Sequence, residues 1–132
     1  MKKFIYFILY NLFLMISCSI VYADSLTVEN TQTDVPVYLK HEYERGPFFD
    51  SVLPHNVKTI SRDEISSACK KDLVCKIDFT YMLANNKEHL LGSIYMDLRR
   101  IPMMLVEYDV SYDSQYQLQI NMENNHVIVV PR

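Results

Sequence analysis

Four histidines, three cysteines and a scatter of carboxylates are the groups in this 132-residue chain that could do chemistry. His41, His55, His89 and His126 contain no pair at the i, i+4 spacing of a helix or the i, i+2 spacing of a strand, so no two are presented together locally as metal ligands. His41 falls on the apolar side of an alternating segment and is expected as a satisfied core or edge histidine. His55 follows Pro54 in a loop and is the accessible one, a candidate binding residue. Asp109 and Asp113 lie on the polar side of another alternating segment. They are candidate binding residues, although acid/base work would need burial to shift a pKa and calcium would need six or more oxygens. There is no Gly-x-Ser-x-Gly elbow, and two glycines, Gly46 and Gly92, cannot build a phosphate loop. With no tryptophan, aromatic stacking on sugars loses its best platform, and Tyr108, Tyr112 and Tyr116 share an apolar face where core packing is expected. These residues assign no catalytic group, no metal site and no cofactor.

The cysteines speak about compartment. Lys2 and Lys3 precede an apolar run over 4–16, too short for a membrane span of about 20 residues. Val21-Tyr22-Ala23 then stands before Asp24, the pattern of a signal peptide over 1–23 cut after Ala23. Met15-Ile16-Ser17-Cys18 is similar to a bacterial lipobox, so a second route stays open in which Cys18 is acylated and tethers the protein to a membrane. Cleavage after Ala23 leaves a single exported domain over 24–132, periplasmic or secreted and not inserted in a membrane. It carries 11 Lys+Arg against 16 Asp+Glu, a net charge of −5. That charge and a whole-chain pI near 5.7 argue against nucleic acid as a partner. Cys69 and Cys75 remain, an even pair in an exported chain, and a disulfide is the simplest use of them. Cys-x5-Cys lacks the Cys-x-x-Cys spacing of redox and zinc motifs.

The elements that must position these groups are mostly strands. Segments 26–30, 35–44, 57–60, 74–83, 90–98 and 126–130 alternate or run apolar at strand length, with 48–56 read as a loop. Asn85-Asn86-Lys87 marks a hairpin turn, Gly92 a bulge or close approach, and Arg99-Arg100 a solvated loop. Ser61-Arg62-Asp63-Glu64 is a capping box that opens the one helix, over 61–70, with Cys69 in its last turn. From Val106 to Met122 every even position except Ser114 is apolar or tyrosine and every odd one polar. A three- or five-residue loop near 112–114 or one long bent strand preserves that parity. Seven or eight short strands and one short helix predict an all-β fold, an antiparallel, immunoglobulin-like β-sandwich.

Val28-Glu29-Asn30-Thr31, Ser51-Val52-Leu53-Pro54 before Val57-Lys58-Thr59-Ile60, Ile65 with Cys69 and Cys75, and Ile77-Asp78-Phe79 together resemble small exported β-sandwich proteins of gammaproteobacteria, including intracellular pathogens. The resemblance covers about 25–98. It implies export and fold, and because those proteins mostly lack an assigned activity it carries over no catalytic residue. The expected function is non-catalytic binding of a protein partner through a strand edge or exposed loop. Two other classes stay open: a small secreted enzyme or metal-binding protein using His55 or the face around Asp109, and a structural subunit whose strand 126–130 pairs with a neighbouring chain. Oligomeric state is open.

Overall fold

The computed structural model describes residues 24–41, 46–112 and 115–132. The segment 1–23 expected as a signal peptide, Cys18 within it, lies outside them, as does Asp113. Among these residues nine strands and one helix follow in order: β1 (Ser25–Asn30), β2 (Val37–Lys40), β3 (Asp50–Val52), β4 (Asn56–Ser61), α1 (Arg62–Cys69), β5 (Val74–Met82), β6 (Glu88–Asp97), β7 (Met104–Val110), β8 (Tyr116–Asn121) and β9 (His126–Pro131). They form two sheets, β4-β1-β9-β8 and β3-β2-β5-β6-β7, an all-β sandwich with one short helix. Neighbours pair antiparallel except β1 and β9, which run parallel.

Alternation explains the core. Leu26 and Val28 of β1, Val127 and Val129 of β9 and Leu118 of β8 face Leu39, Ile77, Phe79, Ile94 and Met96 of the other sheet, all of them buried. Ser61 caps α1, its hydroxyl accepting from the Glu64 N–H at 3.3 Å, and Ile65 and Cys69 are the buried helical positions. The reciprocal half of the capping box is diverted, because the Glu64 carboxyl hydrogen-bonds Asp50 instead. β3 was not expected. Three residues are too few to show a period, and β3 is held by pairing with β2, Val37 opposite Val52.

Two buried polar side chains, Asn30 and Asn125, and the half-buried Asp24 close the ends of the sandwich. Asn30, fully buried, donates its amide to the carbonyls of Val35 (2.8 Å), Val52 (3.1 Å) and Leu53 (3.3 Å), fastening the 31–36 link to β3. Asn125, in the β8–β9 turn at φ 48°, donates to Met103 O (2.7 Å) and accepts from Leu105 N (2.9 Å). Asp24 accepts from Met103 N at 2.7 Å and from Arg62 Nε, and Arg62 also donates to Leu98 O and Arg100 O. Burial alone would raise Asp24, but the Arg62 guanidinium and the Met103 N–H hold it below the usual carboxylate range.

The expectation for the Val106–Met122 stretch is met in a five-residue connection and corrected in where the two strands lie. β7 and β8 belong to different sheets, joined by a connection over 111–115, so they are neither a hairpin nor one bent strand. β7 is also bulged: Tyr95 pairs with Glu107 and Met96 with Leu105, which leaves Val106 as the extra residue. The bulge flips parity, so that Leu105 rather than Val106 enters the core. Beyond it Tyr108 stands opposite buried Ile94, on the core side of the sheet, but at an edge the smaller sheet does not cover. Tyr108 is 48% exposed and Tyr112 82%, so neither is a core tyrosine. Tyr116 alone of the three packs inward, edge-on to Tyr81 at 5.1 Å between ring centroids.

Candidate functional site

The edge strand β7 presents the clearest interaction surface among the described residues. Its inner neighbour β6 reaches it through Gly92, where a Cβ would sit 2.6 Å from the Asp109 carbonyl oxygen, so only glycine lets the two backbones approach this closely. The Ser111 N–H donates to Leu91 O at 3.0 Å, toward β6. By strand alternation the backbone groups of Asp109 and Glu107 turn the same way, and those of Tyr108 and Val110 turn outward. Farther toward the start of β7 the outward side is plugged, since Asp24 takes the Met103 N–H and Asn125 the Leu105 N–H. The open stretch of edge is therefore short and centred on Tyr108. Met104, Val106 and Tyr108 are partly exposed along it, with Ile101 before and Tyr112 after, and Glu107 and Asp109 are exposed carboxylates between them. Bulge and charges are the devices that keep an edge from pairing indiscriminately, and they also define what could pair with it.

Asp97 anchors the loop that leads into β7. It is buried and accepts from Arg99 Nε (2.9 Å) and Nη2 (3.1 Å), with Arg100 Nε 3.4 Å away. Chiefly through the Arg99 hydrogen bond, its carboxyl is pulled down to about 2. The Arg99-Arg100 pair is thus solvated yet held from beneath, and it offers no free anion clamp.

The residues singled out from sequence are not gathered into one site. His55, at φ 64° in the turn before β4, has Nε2 3.0 Å from Asp34 Oδ1 on an open surface, and among the described residues they belong to no group of three ligand-type side chains. Asp109 lies opposite Ser93 on the far side of the molecule's other sheet, and its expected companion Asp113 is outside the described residues. Strand 126–130 is β9, flanked on both sides by β1 and β8, so it has no free edge with which to join a neighbouring chain.

What the sequence did not reveal is the company kept by Cys69 and Cys75. They stand at disulfide distance, Cα atoms 5.7 Å apart, between the end of α1 and the start of β5. His41 packs on them: Nδ1 is 3.5 Å from Cys69 Sγ and 3.0 Å from Lys76 O, and Nε2 is 3.0 Å from Asp72 Oδ2. His41, Cys69 and Cys75 are a metal-like trio within 4.8 Å of one another, beside a cleft of about 650 Å³. Sulfurs joined to each other have no thiolate to give a metal, so the oxidised pair acts as a cross-link and His41 as its packing partner. A second ionic cluster ties the two sheets at their edges. Lys58 of β4 pairs with buried Asp50 of β3, and Glu64 of α1 completes the group. Hydrogen bonding to Asp50, then burial, pushes the Glu64 carboxyl up to about 7, while Asp50 is held below its ordinary value by Glu64 and Lys58 against the effect of burial. Spacing alone could not have found it, because the three residues come from three elements.

No protein-family model matches the chain, and no curated protein does. Among solved structures, the fold is similar to that of the Legionella pneumophila type II secretion system substrate NttC. The match has a TM-score of 0.57 at 11% identity and covers 84% of this chain and 100% of that one. At that identity the likeness is one of fold. Among the described residues no helix is long and apolar enough to cross a membrane.

Proposed function

We propose that this is an exported, non-catalytic binding domain that takes an extended segment of a protein partner along β7. The observation that carries the reading is the short open edge at Tyr108 and Val110, flanked by exposed apolar side chains and two exposed carboxylates. A complementary segment would add a strand there, lay apolar side chains against Val106 and Tyr108, and place basic ones opposite Glu107 and Asp109. Export is supported by the leader-like 1–23, by the paired cysteines and by the fold neighbour's being a secretion substrate. Cleavage after Ala23 is further supported by Asp24, the residue that would become the first, whose carboxylate is already bound by Arg62 and Met103 N–H.

A photo-crosslinking residue at Tyr108 tests the reading in the exporting cell. A discrete adduct is expected at 108, absent with the crosslinker at Leu53 on the opposite edge. It should be lost in Val110→Pro, which removes an outward N–H without touching the pairing to β6. Equal adducts at 108 and 53, or an adduct insensitive to Val110→Pro, would count against strand addition. Intact mass of the exported protein separates a chain beginning at Asp24 from one acylated at Cys18.

A further inference from the structure

The outer face of the five-stranded sheet contains a second feature, unrelated to β7. Tyr38 and Lys40 of β2 and Thr80 and Met82 of β5 share that face, since Tyr38 pairs with Thr80 and the others follow at alternate positions. Glu88 of β6 stands at its rim, opposite Met82. The segment 46–49 folds over them, fixed by Phe49 N donating to Leu39 O at 2.8 Å, and puts Phe48 against Tyr38 with ring centroids 4.8 Å apart. The result is a cleft of about 270 Å³ lined by Tyr38, Lys40, Phe48, Thr80, Met82 and Glu88, with Pro47 at its mouth.

Its floor holds an anomaly. Thr80 is 1% exposed, and its hydroxyl has no hydrogen-bond partner among the described residues. A buried hydroxyl left unpaired is costly, and native structures rarely keep one without a use. The walls indicate the use. Lys40 Nζ and Glu88 Oε2 are 2.8 Å apart, one charge of each sign, so an anion entering here meets the carboxylate and a cation meets the ammonium. A neutral molecule escapes both penalties. It can accept from the ammonium, donate to the carboxylate, and exchange a hydrogen bond with Thr80. The Tyr38–Phe48 pair and Met82 then ask for an apolar C–H face on its other side.

From the orphaned Thr80 hydroxyl and this lining we infer that the cleft is a binding site for a neutral pyranose, a hexose or its N-acetyl derivative. The volume holds one ring. The site is independent of the β7 edge, so either can fail without the other.

Isothermal titration of the exported protein with glucose, galactose, mannose and N-acetylglucosamine, and with glucuronate and glucosamine as charged counterparts, tests the inference. Saturable binding of at least one neutral sugar is expected, weaker for the charged forms. Thr80→Val should lower that affinity about tenfold, the factor a single good hydrogen bond supplies. The same variant should leave the ligand-free protein as stable as before or more so, since it replaces an unpaired hydroxyl by a methyl. Phe48→Ala, a change at an exposed position, should weaken binding comparably without unfolding the chain. The inference is overturned if no neutral sugar saturates the protein up to tens of millimolar, if a charged form binds more tightly, or if both variants bind as the parent does.

Discussion

Replacing Asn30 should unfasten one end of the sandwich, and its cost can be worked from the hydrogen bonds. The side-chain amide serves three carbonyls, and its oxygen accepts from the Thr33 hydroxyl. In Asn30→Ala the Val35 carbonyl keeps the Thr33 hydroxyl, 3.1 Å away, whereas Val52 O and Leu53 O lose this donor. At about 1–3 kcal/mol for each buried acceptor left short, the loss is about 2–4 kcal/mol. A domain of this size changes its Tm by about 4–5 °C per kcal/mol, so a fall of about 9–18 °C is expected by scanning calorimetry. Asn30→Asp sharpens the test, because it preserves shape but turns a donor into an acceptor facing carbonyl oxygens. Burial and those carbonyls raise its folded-state pKa above the unfolded value of about 3.9. Its defect relative to the parent should therefore shrink as pH falls toward 4 and grow as pH rises. A Tm within 2–3 °C of the parent for Asn30→Ala (on the order of half a kcal/mol), or a pH-independent defect in Asn30→Asp, would refute the role given to this amide.

Reducing the Cys69–Cys75 link, or substituting both by serine, should cost about 2 kcal/mol by the loop-closure relation for so short a loop, read as a Tm lower by about 9 °C. No effect of reductant would mean that the pair is not oxidised. Glu64, with its folded-state pKa raised to about 7, contributes stability that is complete below its unfolded value near 4.3 and is lost as pH rises through 7. Glu64→Gln should flatten the pH dependence of unfolding between about pH 5 and 8, and an unchanged slope would place the titration elsewhere. Gly92→Ala should cost about 1–3 kcal/mol and speed hydrogen exchange at the Ser111 amide, because the new methyl must push the β7 backbone away from β6; unaltered exchange at that amide would show that β7 does not depend on this contact.

Local signals carried most of the elements. Strand-length apolar and alternating runs marked β1, β5 and β6 to within two residues, and the Ser61 cap placed α1 at its observed start, because both depend on neighbours in the chain. Non-local effects hid the remainder. β3 is held by its pairing with β2, and the bulge at Val106 is visible only in how β7 pairs with β6 at Tyr95 and Met96. The slip there puts Leu105 rather than Val106 in the core, while Tyr108 keeps its side and is exposed because the smaller sheet does not cover that edge. The candidate sites were less legible still. His55 and Asp109 were conspicuous by type and stand apart, whereas Thr80, Tyr38, Lys40 and Glu88 looked like ordinary strand residues and converge.

The sequence by itself determined what depends on order along the chain: the leader-like start, the cysteine pair, the alternation that commits the rest to two-layered β structure, and one capped helix. Tertiary structure decided what depends on distance between elements: which strand is an edge, where a carboxylate is lifted to about 7 by another, and which hydroxyl on a cleft floor lacks a partner among the described residues. Burial and pairing are properties of three-dimensional neighbours, and a period of two fixes only the side of a strand a residue faces, not what lies across from it.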